Sequence, residues 1–215
     1  VHQCEETAKK VILGLGTVVE PACLLGISPS HKYLPLKIGA GAIIRAGTYI
    51  YEGSVIGNNF QTGNKVNIRE NCLIGDNVSI GTHSIIEHHV QIGNNVRIHS
   101  NVFIPEHTII YDDVWIAPNV VITNSKYPNS KHSKKNLQGV DIRKGAIIGA
   151  NATILPDVII GRKAIIGAGS VVTKNVKAHV VGYGNPFRKT GMIEDIKGDP
   201  YDAMENYQKM MRQYS

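Results

Sequence analysis

Reading from Ile38, an isoleucine returns every six residues: Ile38, Ile44, Ile50, Ile56, then Thr62, then Ile68 and on through Ile122. Fifteen consecutive hexads keep this phase, and fourteen of them begin with Ile. The phase breaks after Ile122 and resumes at Ile142, Ile148, Ile154, Ile160, Ile166 and Val172. An amphipathic helix has a period near 3.6 and an ordinary strand a period of two, so neither produces this pattern. Six-residue repetition is the signature of a parallel β-helix. Four residues after most of these Ile the side chain is small or β-branched, as at Ala42, Thr48, Ser54, Val66, Cys72, Val78 and Val90. That position is expected to fit an inner corner. Glycine often follows the Ile, as at Gly57, Gly75, Gly93 and Gly149, where it tolerates tight corner geometry. Three hexads make one triangular coil, and coils stack at ~4.8 Å. Residues eighteen apart should therefore be vertical neighbours.

The period divides the chain. Residues 1–37 read as an irregular N-terminal coil with a loop at Ser28–Pro35. Residues 38–191 read as the β-helix, interrupted by a polar, basic loop at 124–141 that adds fourteen residues to the hexad spacing. The segment Val181-Gly-Tyr-Gly-Asn-Pro-Phe-Arg188 has turn chemistry and closes the solenoid. Residues 192–215 read as a helical cap in two pieces, of the kind a repeat protein needs at an open end.

Composition narrows the function. The formal net charge is +6, from 23 basic and 17 acidic residues. The basic residues form no stripe, which argues against nucleic acid and favours a small anionic ligand. Three cysteines without paired spacing point to a reduced, cytoplasmic setting. No membrane span or signal pattern is expected.

Applied to the histidines, the eighteen-residue rule gives a column: Glu52, Glu70, His88, Glu106, Asn124. His89 and His107 form the neighbouring column, and the long loop begins at Asn124. A carboxylate beside an imidazole fixes its tautomer and raises its basicity, as a general base requires. His88 is therefore the candidate base, with Glu70 or Glu106 as its orienting partner. A solvated polar corner is the alternative, and it is the stronger one for His83, His89, His99 and His107. The stretch Asn58–Glu70 is the least regular part of the repeat. Asn59, Gln61, Thr62 and Arg69 crowd there, and with His89 they form a candidate acceptor pocket with Arg69 on a phosphate. An external polar face with one core Thr is the alternative. Trp115 should point outward.

On these residues the chain resembles the hexapeptide-repeat acyltransferases. Ile86-Glu-His-His-Val-Gln-Ile-Gly93 resembles the catalytic-histidine segment of the lipid A acyltransferases and of a UDP-4-amino-sugar N-acetyltransferase, with His89 where those carry Asp, Asn or Glu. Asp112–Ile116, Lys144–Asn151 and Gly167–Lys174 resemble nucleotide-sugar N-acetyltransferases of surface-polysaccharide pathways. The resemblance implies a left-handed β-helix acting as a homotrimer. It implies transfer from acetyl-CoA, or another short acyl-CoA, to the amine of a nucleotide-linked amino sugar, without a metal. By the same resemblance, acyl-CoA lies between subunits along Gly149, Ala150, Gly167 and Ala168, with Lys174, Lys177 and Arg188 on its phosphates and the Gly149 N–H a source of oxyanion stabilisation. For each basic residue the alternative is an ordinary solvated charge, and for the small residues it is corner packing. An O-acetyltransferase or amino-acid acyltransferase is a second reading within the class. A zinc enzyme like the γ-carbonic anhydrases lacks its third histidine here, since no imidazole lies two coils before His83 or His88. A non-catalytic scaffold is the remaining alternative.

Overall fold

Each hexad folds as a two-residue strand followed by a four-residue corner, as at Ile85–Ile86 and Gln91–Ile92. The second strand residue points into a prism, and so does the last corner residue: Ile86, Val90, Ile92 and Val96 are buried. Fully burying one such aliphatic side chain contributes about 1.5–3 kcal/mol, and the column repeats it at every level. The third corner residue has a left-handed backbone, with φ between +53° and +65° at non-glycine positions such as Asn71, His83, Asn95 and Lys163. Asn, Asp and His tolerate this region better than most residues, which explains their six-residue recurrence there.

The computed structural model describes residues 11–29 and 34–201. Three parallel sheets form the faces of the prism, and every coil contributes one strand to each. The register confirms the eighteen-residue rule: Val55, Leu73 and Gln91 are successive partners on the first face. Two steps exceed eighteen. Val11 pairs with Leu36, and Ile109 pairs with Asp141. Both insertions, after Ile27 and after Ile122, leave the prism between its third and first faces. Two loops therefore rise from one edge.

The solenoid begins earlier than its Ile pattern. Val11–Leu13, Val18–Val19 and Leu24–Ile27 already pair in parallel with the coil above. At the other end Val180–Tyr183 continues the second face, then turns into Arg188–Met192 as an antiparallel hairpin. This corrects the expected helix start at Met192, which ends a strand and pairs with Val180. A 3-10 turn, Ile193–Asp195, follows. The remainder of the expected cap, 202–215, lies outside the described residues, as do 1–10 and 30–33.

Candidate active site

The second corner residue differs from edge to edge. Between the first and second faces it is Asn58, Asp76, Asn94 or Asp112. Each accepts a backbone N–H one coil earlier, from Ala40, Asn58, Asp76 and Asn94, at 2.6–2.9 Å. That ladder is structural. On the edge carrying the two loops the same position holds Glu52, Glu70, His88, Glu106 and Asn124, with longer side chains and other bonds. Glu52 is only 3% exposed. It accepts from the Leu34 N–H at 2.9 Å and from the Ser28 hydroxyl at 2.7 Å, holding both ends of the first loop. Glu70 is gripped by Arg69 through two contacts, at 2.9 and 3.1 Å. His88 Nε2 lies 3.4 Å from Glu106 Oε1. The other Glu106 oxygen accepts from Asn124 Nδ2 at 2.6 Å. His88 Nδ1 meets His89 Nδ1 at 2.8 Å. The His107 ring lies 6.4 Å from that of His88 and 6.1 Å from that of His89.

The electrostatics separate the groups. Burial pushes the Glu70 carboxyl up, but the Arg69 hydrogen bond and charge outweigh it and hold Glu70 below the usual range. Burial, reinforced by His88 and His107, holds the His89 imidazole below its ordinary value. Beneath them, burial pushes the Cys72 thiol up to about 12, so it stays protonated and donates to the Glu87 carbonyl at 3.1 Å. A cavity of about 220 Å³ opens here, lined by Pro29, Leu34, Glu52, Glu70, Asn71, His88 and His89.

The expected column is therefore present, and Glu106 rather than Glu70 touches His88. The expected acceptor pocket does not form as a unit. Thr62 points into the prism, where it accepts from the Arg45 N–H at 2.9 Å and lies 3.3 Å from Thr48 Oγ1. Asn59 bonds Asn77 in the ladder of the opposite edge, and Gln61 sits on the second face. A hexad turns the chain by a third, so neighbours in sequence fall on different faces. Arg69 and His89 do reach the His88 edge. Arg69 is already held by Glu70, lies 3.6 Å from Glu87 and stacks over Tyr51, so it is not the open phosphate site expected of it.

The expected cofactor residues also divide. Gly149, Ala150, Gly167 and Ala168 occupy the edge between the second and third faces. A Cβ on Gly149 would lie 2.4 Å from the Ala168 nitrogen, and one on Gly167 2.7 Å from Tyr183 Cβ. These glycines are thus required by coil stacking. The Gly149 N–H is donated to the Ile166 carbonyl at 2.7 Å, which removes it as the expected oxyanion donor. Lys174 and Arg188 share a separate groove of about 470 Å³ with Lys177, Lys189, Phe187 and Met192. Lys189 was not among the expected cofactor residues, although it ends a cluster of basic residues that begins at Lys174, and Phe187 was signalled only by the turn at Gly184–Pro186. Sequence reasoning missed the convergence of the first loop on the His88 edge. Trp115 faces outward and stacks with His99, ring centroids 5.0 Å apart. Among the described residues, no group of three or more His, Cys, Asp or Glu side chains could hold a metal ion. No described helix is long and apolar enough to cross a membrane.

Comparison with known proteins agrees with this architecture. Residues 34–139 match the family described as the GMPPB C-terminal domain, and residues 139–174 match the bacterial transferase hexapeptide (six repeats). One stretch of 52 residues is 48% identical to the dTDP-3-amino-3,6-dideoxy-alpha-D-galactopyranose 3-N-acetyltransferase of Aneurinibacillus thermoaerophilus, covering 24% of this chain and 27% of that protein. Another of 87 residues is 34% identical to the galactoside O-acetyltransferase of Lactococcus lactis, covering 39% and 42% respectively. The chain thus spans less than half the length of these relatives. The UDP-N-acetylglucosamine O-acyltransferase structure from Moraxella catarrhalis aligns over 96% of this chain and 89% of its own, with a TM-score of 0.59 at 19% identity, and shares the fold. The chain is a left-handed β-helix, and its residues 139–174 are similar to the bacterial transferase hexapeptide family.

Proposed function

We propose that the chain is an acyl-CoA-dependent acyltransferase that moves an acetyl, or another short acyl, group to the amine of a nucleotide-linked amino sugar. The observation that carries this reading is the chain of contacts His89–His88–Glu106–Asn124, whose histidine end lines a cavity at the root of the first loop. An imidazole in such a chain can take the proton an amine loses as it attacks a thioester. The acceptor occupies the cavity between the first loop and His88. The groove with Lys174, Lys177, Arg188 and Lys189 beside Phe187 and Met192 offers cations and apolar surface together, which suits the phosphates and organic parts of coenzyme A. The Ala150 N–H, to which no acceptor is assigned among the described residues, is a better oxyanion donor than Gly149.

The active form is a homotrimer. The third face presents Leu24, Tyr49, Ile85, Phe103 and Val121 outward, an apolar surface suited to a second copy. Packing between copies would also bring the small-residue edge of one chain toward the loop edge of another. The name of the dTDP-amino-sugar relative supports an amine acceptor and a nucleotide-sugar substrate. A sugar hydroxyl is the second reading, supported by the longer match to the galactoside O-acetyltransferase. A screen of dTDP- and UDP-linked amino sugars with acetyl-CoA, read by free thiol release, tests the proposal. Thiol release that depends on an amino sugar is the expected result. Release only with unsubstituted sugars or with serine overturns the amine assignment.

A further inference from the structure

The polar groups on either side of His88 decide where its hydrogen sits. Two ring nitrogens face each other at 2.8 Å, His88 Nδ1 and His89 Nδ1, so one of them carries a hydrogen and the other a lone pair. On its far side His88 Nε2 faces the Glu106 carboxylate at 3.4 Å. A carboxylate oxygen at that distance favours a hydrogen over a lone pair on the nitrogen facing it, so Nε2 carries the His88 hydrogen. A neutral His88 then has a bare Nδ1, and the bridging hydrogen belongs to His89 Nδ1. His88 has no nitrogen left to receive a substrate proton, because its lone pair already accepts from His89. His89 keeps an open lone pair on Nε2. It lines the cavity and has no second hydrogen-bond partner among the described residues.

We propose that His89 is the imidazole that takes the acceptor's proton, and that His88, backed by Glu106, receives the hydrogen His89 releases from its other nitrogen. This deepens the acyl-transfer reading above and rests on it. As the amine nitrogen attacks the thioester carbonyl, its proton goes to His89 Nε2. The His89 Nδ1 hydrogen passes across the 2.8 Å bond to His88 Nδ1. His88 becomes an imidazolium facing Glu106, whose second oxygen is fixed by Asn124. When the C–S bond breaks, the transfer reverses: His88 returns the hydrogen to His89 Nδ1, and His89 Nε2 gives its proton to the departing sulfur. Amine and thioester become amide and thiol, and no further reagent is needed. The environment agrees, since burial and the neighbouring imidazoles hold His89 below its ordinary value.

His89→Asn separates this relay from direct proton uptake by His88. His89 has φ +59°, and Asn fills the same corner position at Asn71, Asn77 and Asn95, so the coil is preserved. The Asn amide can still donate to His88 Nδ1. The relay requires kcat to fall by about 10²–10⁴-fold with little change in the KM for acetyl-CoA. Near-wild-type kcat overturns it. Nitrogen-15 NMR of the wild-type histidines gives an answer independent of turnover. His89 should be the Nδ1–H tautomer and His88 the Nε2–H tautomer, and an Nε2–H His89 overturns the relay. A wild-type chain that releases no thiol with any acceptor overturns the acyl-transfer reading instead, and the tautomer spectrum still decides the placement of the hydrogens.

Discussion

One imidazole with a carboxylate on one side and another imidazole on the other is a different chemical object from a solvated corner histidine. His88 is the residue at which these contacts meet, and Glu106 rather than Glu70 faces it because Arg69 has already claimed Glu70. The eighteen-residue column made both carboxylates visible in the sequence. It could not choose between them, because the choice depends on Arg69 folding back onto its own neighbour. The pH dependence of stability belongs to this scale. His89 and His99 are both held below the ordinary imidazole value of 6.5, each first by burial. A depressed folded-state value means that their stabilising contribution is present above the unfolded value and is lost as pH falls through the folded one. The melting temperature should therefore decline as pH is lowered from 7 through the acid side of 6.5. His89→Asn and His99→Asn should each remove part of that decline. A decline unchanged in both variants, measured by calorimetry, would show that these imidazoles are not the groups responsible.

Among the elements, the loop between Ile122 and Asp141 has the clearest role. It leaves the prism at the His88 edge, Asn124 at its root holds Glu106, and Gln138 returns to bond the Asn124 carbonyl at 2.8 Å. Deleting Ser125–Gln138 should leave the parallel register intact and lower acyl transfer by at least tenfold, on the order of one lost positioning contact. A deletion variant with full activity would mean that the loop plays no part in the site. Strands, corners and this insertion were legible because each hexad repeats one physical requirement, an aliphatic inside and a tolerated left-handed residue at the corner. The closing hairpin was not, because Val180–Met192 follows no hexad and its pairing depends on the exposed edge of the last coil. The acceptor pocket expected of Asn58–Glu70 does not form for a related reason. Closeness in sequence is not closeness in space here, because the prism sends Asn59, Gln61 and Thr62 to an edge, a face and the core.

For the whole molecule, the prism carries its candidate site on one edge, beside a third face that presents Leu24, Tyr49, Ile85 and Val121 outward. Sedimentation at micromolar concentration should give a trimer, and a monomer there would remove the proposed cleft between copies. The central claim is that the His88 edge performs proton transfer in acyl transfer. The most direct test is kcat for amino-sugar-dependent thiol release from acetyl-CoA in His88→Ala, compared with the unaltered chain. The account predicts a fall of about 10²–10⁴-fold with the acetyl-CoA KM little changed. An unchanged kcat with the true acceptor would contradict it.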